Sequence, residues 1–273
     1  MPTIAEKAER FRELHARPGT FVIPNPFDIG SARILQHLGF EALATTSSGF
    51  AFTMGRRDYA VTRDEAIAHS KALVDATDIP VSADLENGFG DDPGVVAETV
   101  RMAASAGLAG CSIEDSTQRD GDPIYEMAHA VDRIRAAVDA ARGVGRAFTL
   151  TARAENYLHG RPDLKDTIAR LQAFQDAGAD VLYAPGLRSI DDVRTLIEAV
   201  DRPVNVLAGM PGLTFTVAEL ASAGTKRISV GGALSRVALA AVVRAAREMS
   251  VHGTFTFVDE PISSREIGAM FGA

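Results

Sequence analysis

The sequence predicts an α/β fold closed into a (β/α)8 TIM barrel. Three observations predict it: eight short apolar runs of strand character, a helix-patterned stretch after each, and no segment rich in Pro, Gly or Ser that would divide the 273 residues. Alternating β and α elements argue for a parallel sheet, and eight rounds in this length match a closed barrel better than an open sheet. A doubly wound open sheet is the rival. It calls for a phosphate loop after the first strand, and PNPFDIGSAR contains neither GxGxxG nor GxxxxGK[ST]. The chain therefore reads as one barrel domain over residues 1–273, with C-terminal helices from about residue 233.

The strand runs are FVIP from Phe21, ALATTS from Ala42, VSADLE from Val81, GCSIED from Gly110, AFTLTARAE from Ala147, DVLYAP from Asp180, VNVLA from Val204 and RISVG from Arg227. Several are apolar at consecutive positions, as strands covered on both faces are. Between them, stretches such as DPGVVAETVRMAASAG and DLKDTIARLQAFQDAGAD space apolar residues by three and four and end in glycine. Asp132 to Ala141 is a good helix former. Two longer loops, Gly49 to Thr62 and Ser116 to Ala128, follow strands two and four at the rim where barrel enzymes assemble their sites. The second has turn-forming Asp-Gly and Asp-Pro steps and is read as either a lid or a plain surface loop. A long helix is expected from Ala233 and a short amphipathic one in the tail SSREIGAMF.

Composition narrows the function. A formal net charge of −8, with no local Lys/Arg cluster, disfavours nucleic acid and anionic membranes. No run approaches the apolar length that spans a bilayer, and the start MPTIAEKAERFRELH is not a signal peptide by pattern. The lone Cys111 allows no intrachain disulfide, which suits a reducing cytoplasmic setting, and it reads as core.

Polar residues at strand ends carry the chemistry. Asp84 and Glu86 lie two apart, on one side of an extended segment, after an apolar run. Glu114 ends the next strand, so three acids meet at one rim, where a hard cation would take oxygen ligands. The bland alternative is ion pairing with rim arginines. For Asp91 and Asp92, helix capping is the better reading. Arg153 emerges from strand five and is suited either to bidentate capture of a carboxylate or to pairing with Glu155 or Glu86. The hydroxyls and backbone N–H groups of TTSSGF, after strand two, suit a carbonyl or enolate oxygen. Among the histidines only His159 is a site candidate. The absence of HxH, HExxH and CxxC argues against structural zinc.

These residues resemble the isocitrate lyase/phosphoenolpyruvate mutase superfamily, over almost the whole chain. The family's DADTGYG motif is matched by Asp84-Leu85-Glu86-Asn87-Gly88-Phe89-Gly90, its LED by Ile113-Glu114-Asp115, its ARxEA by Ala152 to Asn156, and its G-x-x-D loop by Gly55 to Asp58. The resemblance implies a (β/α)8 barrel with a C-terminal helix swapped within a homodimer or homotetramer. It also implies Mg2+ (or Mn2+) held by Asp84 directly and by Glu86 and Glu114, a substrate carboxylate on Arg153, an oxyanion site at Thr46, Ser47 and Ser48, and Asp58 near substrate or metal. The departures are specific. The KKCGH-type lyase motif is replaced by Asp115 to Gly121, with no cysteine or histidine; Ser116 stands where the phosphonopyruvate enzymes carry lysine; Ala184 stands where the mutases carry histidine; and the NxTE feature is absent from VNVLAGMPG.

The expectation is thus a metal-dependent carbon–carbon lyase acting on a small 2-oxo or 2-hydroxy acid through an enolate, by oxaloacetate-type decarboxylation or isocitrate/malate-type cleavage. Arg153, Asp58 and Glu114 are its catalytic candidates. A phosphonopyruvate-type enzyme breaking a C–P bond and a non-catalytic binder of 2-oxoglutarate-like dicarboxylates are the alternatives.

Overall fold

The computed structural model describes residues 2–259 and 262–271. Its strands are β1 Phe21–Ile23, β2 Leu43–Ala44, β3 Val81–Asp84, β4 Gly110–Glu114, β5 Thr149–Arg153, β6 Val181–Tyr183, β7 Val204–Leu207 and β8 Arg227–Ser229. The α-helices are α1 Ile4–Ala16, α2 Ile29–His37, α3 Ser47–Thr53, α4 Arg63–Ala76, α5 Pro93–Ser105, α6 Met127–Arg142, α7 Leu164–Asp176, α8 Ile190–Glu198, α9 Val217–Ser222, α10 Ala233–Arg247 and α11 Ser264–Met270.

All strand pairs are parallel, in the order β1-β8-β7-β6-β5-β4-β3-β2, which is a TIM barrel and excludes the doubly wound alternative. The seam between β1 and β2 is bridged by the Ala44 N–H donating to the Pro24 carbonyl at 3.1 Å. Buried Asn25 reinforces it: its Nδ2 donates to the Thr45 carbonyl, while its Oδ1 accepts the N–H groups of Val230 and Gly231. One amide side chain, itself just past β1, thereby satisfies groups at the ends of β2 and β8.

Helix starts follow the capping residues in the sequence. Thr3, Asp28, Thr62 and Thr216 cap α1, α2, α4 and α9 with reciprocal hydrogen bonds, and Asp92 caps α5 with proline at its start. Asp91 does not cap. It accepts from Arg119 at 2.8 Å and from the Tyr125 hydroxyl, tying the 116–126 loop to the start of α5. That loop also carries an antiparallel bridge between Ser116 and Ile124.

The main core lies between sheet and helices, with Leu73, Val100, Ile113, Ile134, Leu150, Leu171 and Phe174 fully or nearly fully buried. A second cluster, Ala8, Phe11, Leu14, Phe21, Ile23, Ala42 and Ala109, packs α1 against the barrel interior. Cys111 is buried in the main core, as expected.

One segment departs from the sequence reading. Part of the expected loop at Gly49 to Thr62 is helical, because α3 runs from Ser47 to Thr53 with Thr46 as its cap. The long α10 and short α11 form where expected, but α10 buries only Ser235 and leaves Val237, Leu239, Val242 and Val243 exposed. Among the described residues no helix is long and apolar enough to cross a membrane.

Candidate active site

A cavity of about 240 Å3 opens among the C-terminal strand ends and reaches down into the barrel. Thr46, Ser47, Ser48, Asp58, Asp84 and Arg153 line it; Glu86, Glu114 and His159 do not. Strand register explains the grouping. Glu114 sits beside Arg153 in the β4–β5 ladder, and Asp84 lies opposite Ser112 in the β3–β4 ladder.

Arg153 joins the acids. Its Nη1 donates to Asp84 Oδ1 at 2.7 Å and its Nε to Glu155 Oε1 at 2.9 Å, while its Nη2 is 3.2 Å from Glu114 Oε2. Burial disfavours its charge, yet Glu155, Asp84 and Glu114 more than offset that and hold its pKa well above the ordinary value. One guanidinium cannot neutralise three carboxylates. Burial, partly offset by Arg153, pushes Glu114 well above the usual carboxylate range, with Glu155 and Asp84 pushing the same way. Glu114 Oε1 and Glu155 Oε2 are buried without a hydrogen-bond partner.

Asp84 also meets the second strand end: its Oδ2 accepts from the Ser47 hydroxyl at 3.1 Å and from the Ser47 N–H at 3.3 Å. The Thr46 and Ser48 hydroxyls are 3.2 Å apart, and Thr46 Oγ1 accepts the Gly49 N–H. A Cβ on Gly49 would come 2.4 Å from Thr46 Cγ2, so only glycine lets this turn close. Asp58, reaching in from the following loop, is raised by burial and then by the charge of Asp84.

Glu86 corrects the expected extended segment. β3 ends at Asp84, and Glu86 adopts φ 49°, a left-handed conformation costly for a non-glycine residue. Its Oε2 accepts from Gln118 Nε2 at 2.9 Å, and Gln118 itself has φ 60°. Burial first, then the nearby Asp84 charge, raises Glu86 to about 8. Among the described residues no three His, Cys, Asp or Glu side chains stand close enough together to hold one metal ion. Asp84, Glu86 and Glu114 surround one region, but with Arg153 between Asp84 and Glu114.

The donor set nonetheless fits a hard cation. It is all oxygen, it includes the orphaned Glu114 Oε1, and it carries more negative charge than Arg153 balances.

The sequence reading missed several of the residues that line the cavity. Tyr59, Tyr183, Asn205, Arg227, Ser229 and Arg236 also line the cavity. Tyr59 follows Asp58 and has φ 61°. Tyr183 holds its ring 5.1 Å below the Arg153 guanidinium carbon. The available signal was Asn205 inside one apolar strand run and Arg227 at the start of another.

Comparison with known proteins follows this geometry. The phosphoenolpyruvate phosphomutase family matches residues 11–250. A candidate lyase/mutase from Burkholderia cenocepacia J2315 is similar at 58% identity, covering 99% of this chain and 98% of that one, with a TM-score of 0.97. A 2,3-dimethylmalate lyase, described as a PEP mutase/isocitrate lyase superfamily member, is 29% identical, covering 100% and 95%, with a TM-score of 0.87. An oxaloacetate acetylhydrolase solved with its product oxalate is 26% identical, covering 100% and 96%, with a TM-score of 0.89. The chain belongs to the phosphoenolpyruvate phosphomutase family, within the isocitrate lyase/PEP mutase superfamily.

Proposed function

We propose that this protein is a divalent-cation-dependent lyase that breaks a carbon–carbon bond in a small 2-oxo or 2-hydroxy acid by way of an enolate. The observation that carries the reading is the cluster of Asp84 and Glu114 on one guanidinium, beside the Ser47 N–H and hydroxyl, at the wall of the cavity that opens at the strand ends. By their names, the similar enzymes of solved structure act on dimethylmalate and oxaloacetate.

Asp84, with Glu86 and Glu114 directly or through water, would hold Mg2+ or Mn2+. When bound, the cation supplies Lewis-acid stabilisation of negative charge on the substrate oxygens. The protein's own groups do the rest. A guanidinium has five N–H donors; on Arg153 two are hydrogen-bonded to Asp84 and Glu155 and Nη2 is ion-paired with Glu114, so N–H groups remain for a substrate carboxylate. Thr46, Ser47 and Ser48 line the cavity, and their hydroxyls would donate to a developing oxyanion. Asp58 lines the cavity with a raised pKa, which suits it to carry a proton to or from the reacting acid. Decarboxylation of an oxaloacetate-like acid asks least of these groups, because bond breaking there needs no base. Cleavage of a malate-like acid would need Asp58 to take the hydroxyl proton.

The test is a coupled screen for pyruvate, glyoxylate and phosphate release over 2-oxo, 2-hydroxy and phosphono acids, with Mg2+ and with Mn2+. Metal-dependent release of pyruvate or glyoxylate is expected. Phosphate release alone would replace the reading by C–P cleavage. Ligand binding without any turnover would replace it by a dicarboxylate-binding role.

The same reading extends to assembly. Val237, Val242 and Phe255 are 66%, 63% and 63% exposed, and the apolar surface runs on through Val243, Met249, Val251 and Phe257. Such a surface favours a partner, and we take that partner to be a second copy exchanging α10 in a homodimer or homotetramer. Sedimentation showing only monomer at micromolar concentration would reject this.

A further inference from the structure

Arg227 is a buried cation of the cavity wall whose partners are all neutral. It opens β8, between Phe21 of β1 and Asn205 of β7, and is 5% exposed. Its Nε donates to Asn205 Oδ1 at 2.9 Å and its Nη2 to Thr151 Oγ1 at 3.1 Å. Its Nη1 lies 3.3 Å from His15 Nε2. The other ring nitrogen of His15 faces the Phe11 carbonyl at 2.8 Å, which places the proton there and leaves Nε2 as an acceptor. Two of the five N–H groups of Arg227 are left over.

Other buried arginines are satisfied differently. Arg133 donates to the carbonyls of Asn87, Gly90 and Asp91, and Arg170 to Asp115 and Asp166. Arg227 has neither a backbone carbonyl nor, among the described residues, a carboxylate. A buried cation without a counter-charge is costly, and a fold keeps one where something supplies that charge. The cavity reaches it: Arg227 and Arg153 line the same space of about 240 Å3, large enough for a four-carbon diacid.

We infer that Arg227 is an anion receptor on the inner wall of the cavity, which takes a second acidic group of the ligand and so selects diacids over monoacids. The inference rests on the reading that this cavity receives a small 2-oxo or 2-hydroxy acid. Asn205 orients the receptor from the side. Its Oδ1 is committed to Arg227 and its Nδ2 donates to Ser229 Oγ at 2.9 Å.

The deciding experiment compares malate with 2-hydroxybutyrate, which has the same four-carbon chain but a methyl in place of the distal carboxylate. Calorimetry with Mg2+ present should show wild type binding malate about 10- to 100-fold more tightly, the contribution of charged hydrogen bonds. In Arg227→Met that preference should vanish, with 2-hydroxybutyrate binding little changed. Arg227→Gln keeps a side-chain donor for Asn205 or Thr151 and should lose the preference equally. It serves should the methionine variant not fold, and it separates charge recognition from a structural role. Binding of 2-hydroxybutyrate by wild type without a preference for malate would overturn the inference and leave the acid-binding reading standing. So would a preference that survives in either folded variant. If wild type binds neither acid, both fall.

Discussion

Arg153 and Arg227 line one cavity inside the barrel, but their surroundings are opposite in charge. Arg153 stands among Asp84, Glu114 and Glu155 and is outnumbered by them. Arg227 meets an amide, a hydroxyl and a neutral imidazole. Burial dominates at both sites, so the sign of the result is set by the neighbours. Acids carry Arg153 above its ordinary pKa, whereas burial, reinforced by the charge of Arg153, lowers Arg227 to about 10, still protonated at neutral pH. The β3–β5 side is therefore short of positive charge and the β7–β8 side short of negative charge. A cation on the first and an anionic substrate across both would settle the two deficits together.

The largest effect should come from breaking the first side. Arg153→Met strands the buried Glu114 and Glu155 and the part-buried Asp84, and removing one member of such a cluster costs about 3–5 kcal/mol. Urea unfolding should show that loss, and turnover should disappear. Unchanged stability would mean the acids do not depend on Arg153.

A pH titration probes the second side. Burial, then the Arg227 charge, holds His15 down to about 3 in the folded protein, against 6.5 ordinarily. Between those values the unfolded chain binds the extra proton, so stability is complete above about 6.5 and declines as the pH falls towards 3. Between pH 7 and pH 4 the loss is about 3 kcal/mol. Comparing unfolding curves of wild type and His15→Gln at pH 7 and pH 4 isolates it, and parallel curves would remove His15 from the account.

Arg227→Met should cost less stability than the Arg153 change, about 1 kcal/mol, because the lost hydrogen bonds are offset by removal of an unpaired buried charge. A loss as large as that of Arg153→Met would show Arg227 to be framework. Smallest of all, Cys111→Ala should lower stability by about 1 kcal/mol and leave turnover unaltered, since the thiol is enclosed in the core and burial raises its pKa. Loss of activity in that variant would contradict the site described.

The difference between the two sides also tracks what could be read in the sequence. All eight strands were legible as short apolar runs, and Asp84, Glu114 and Arg153 stood out because charges there end such runs. Arg227 and Asn205 did not, because they occur within strands covered on both faces, where alternation no longer tells the inward side from the outward. The helix α3 was hidden by SSGFAFT, a short run holding glycine and hydroxyl residues, weak helix formers that a Thr46 cap nonetheless starts. The left-handed turn at Glu86 was illegible because spacing of two suggests an extended strand, and the hydrogen bond its side chain accepts comes from Gln118, distant in sequence.

Direct titration of metal-free protein with Mn2+, followed by calorimetry on wild type and on Asp84→Asn, tests the central claim that the acid side holds a catalytic cation. The account predicts one binding site in wild type, tightened by a 2-oxo acid and lost in Asp84→Asn. Absence of Mn2+ and Mg2+ binding in wild type, with and without the acid, or undiminished binding in Asp84→Asn, would contradict it.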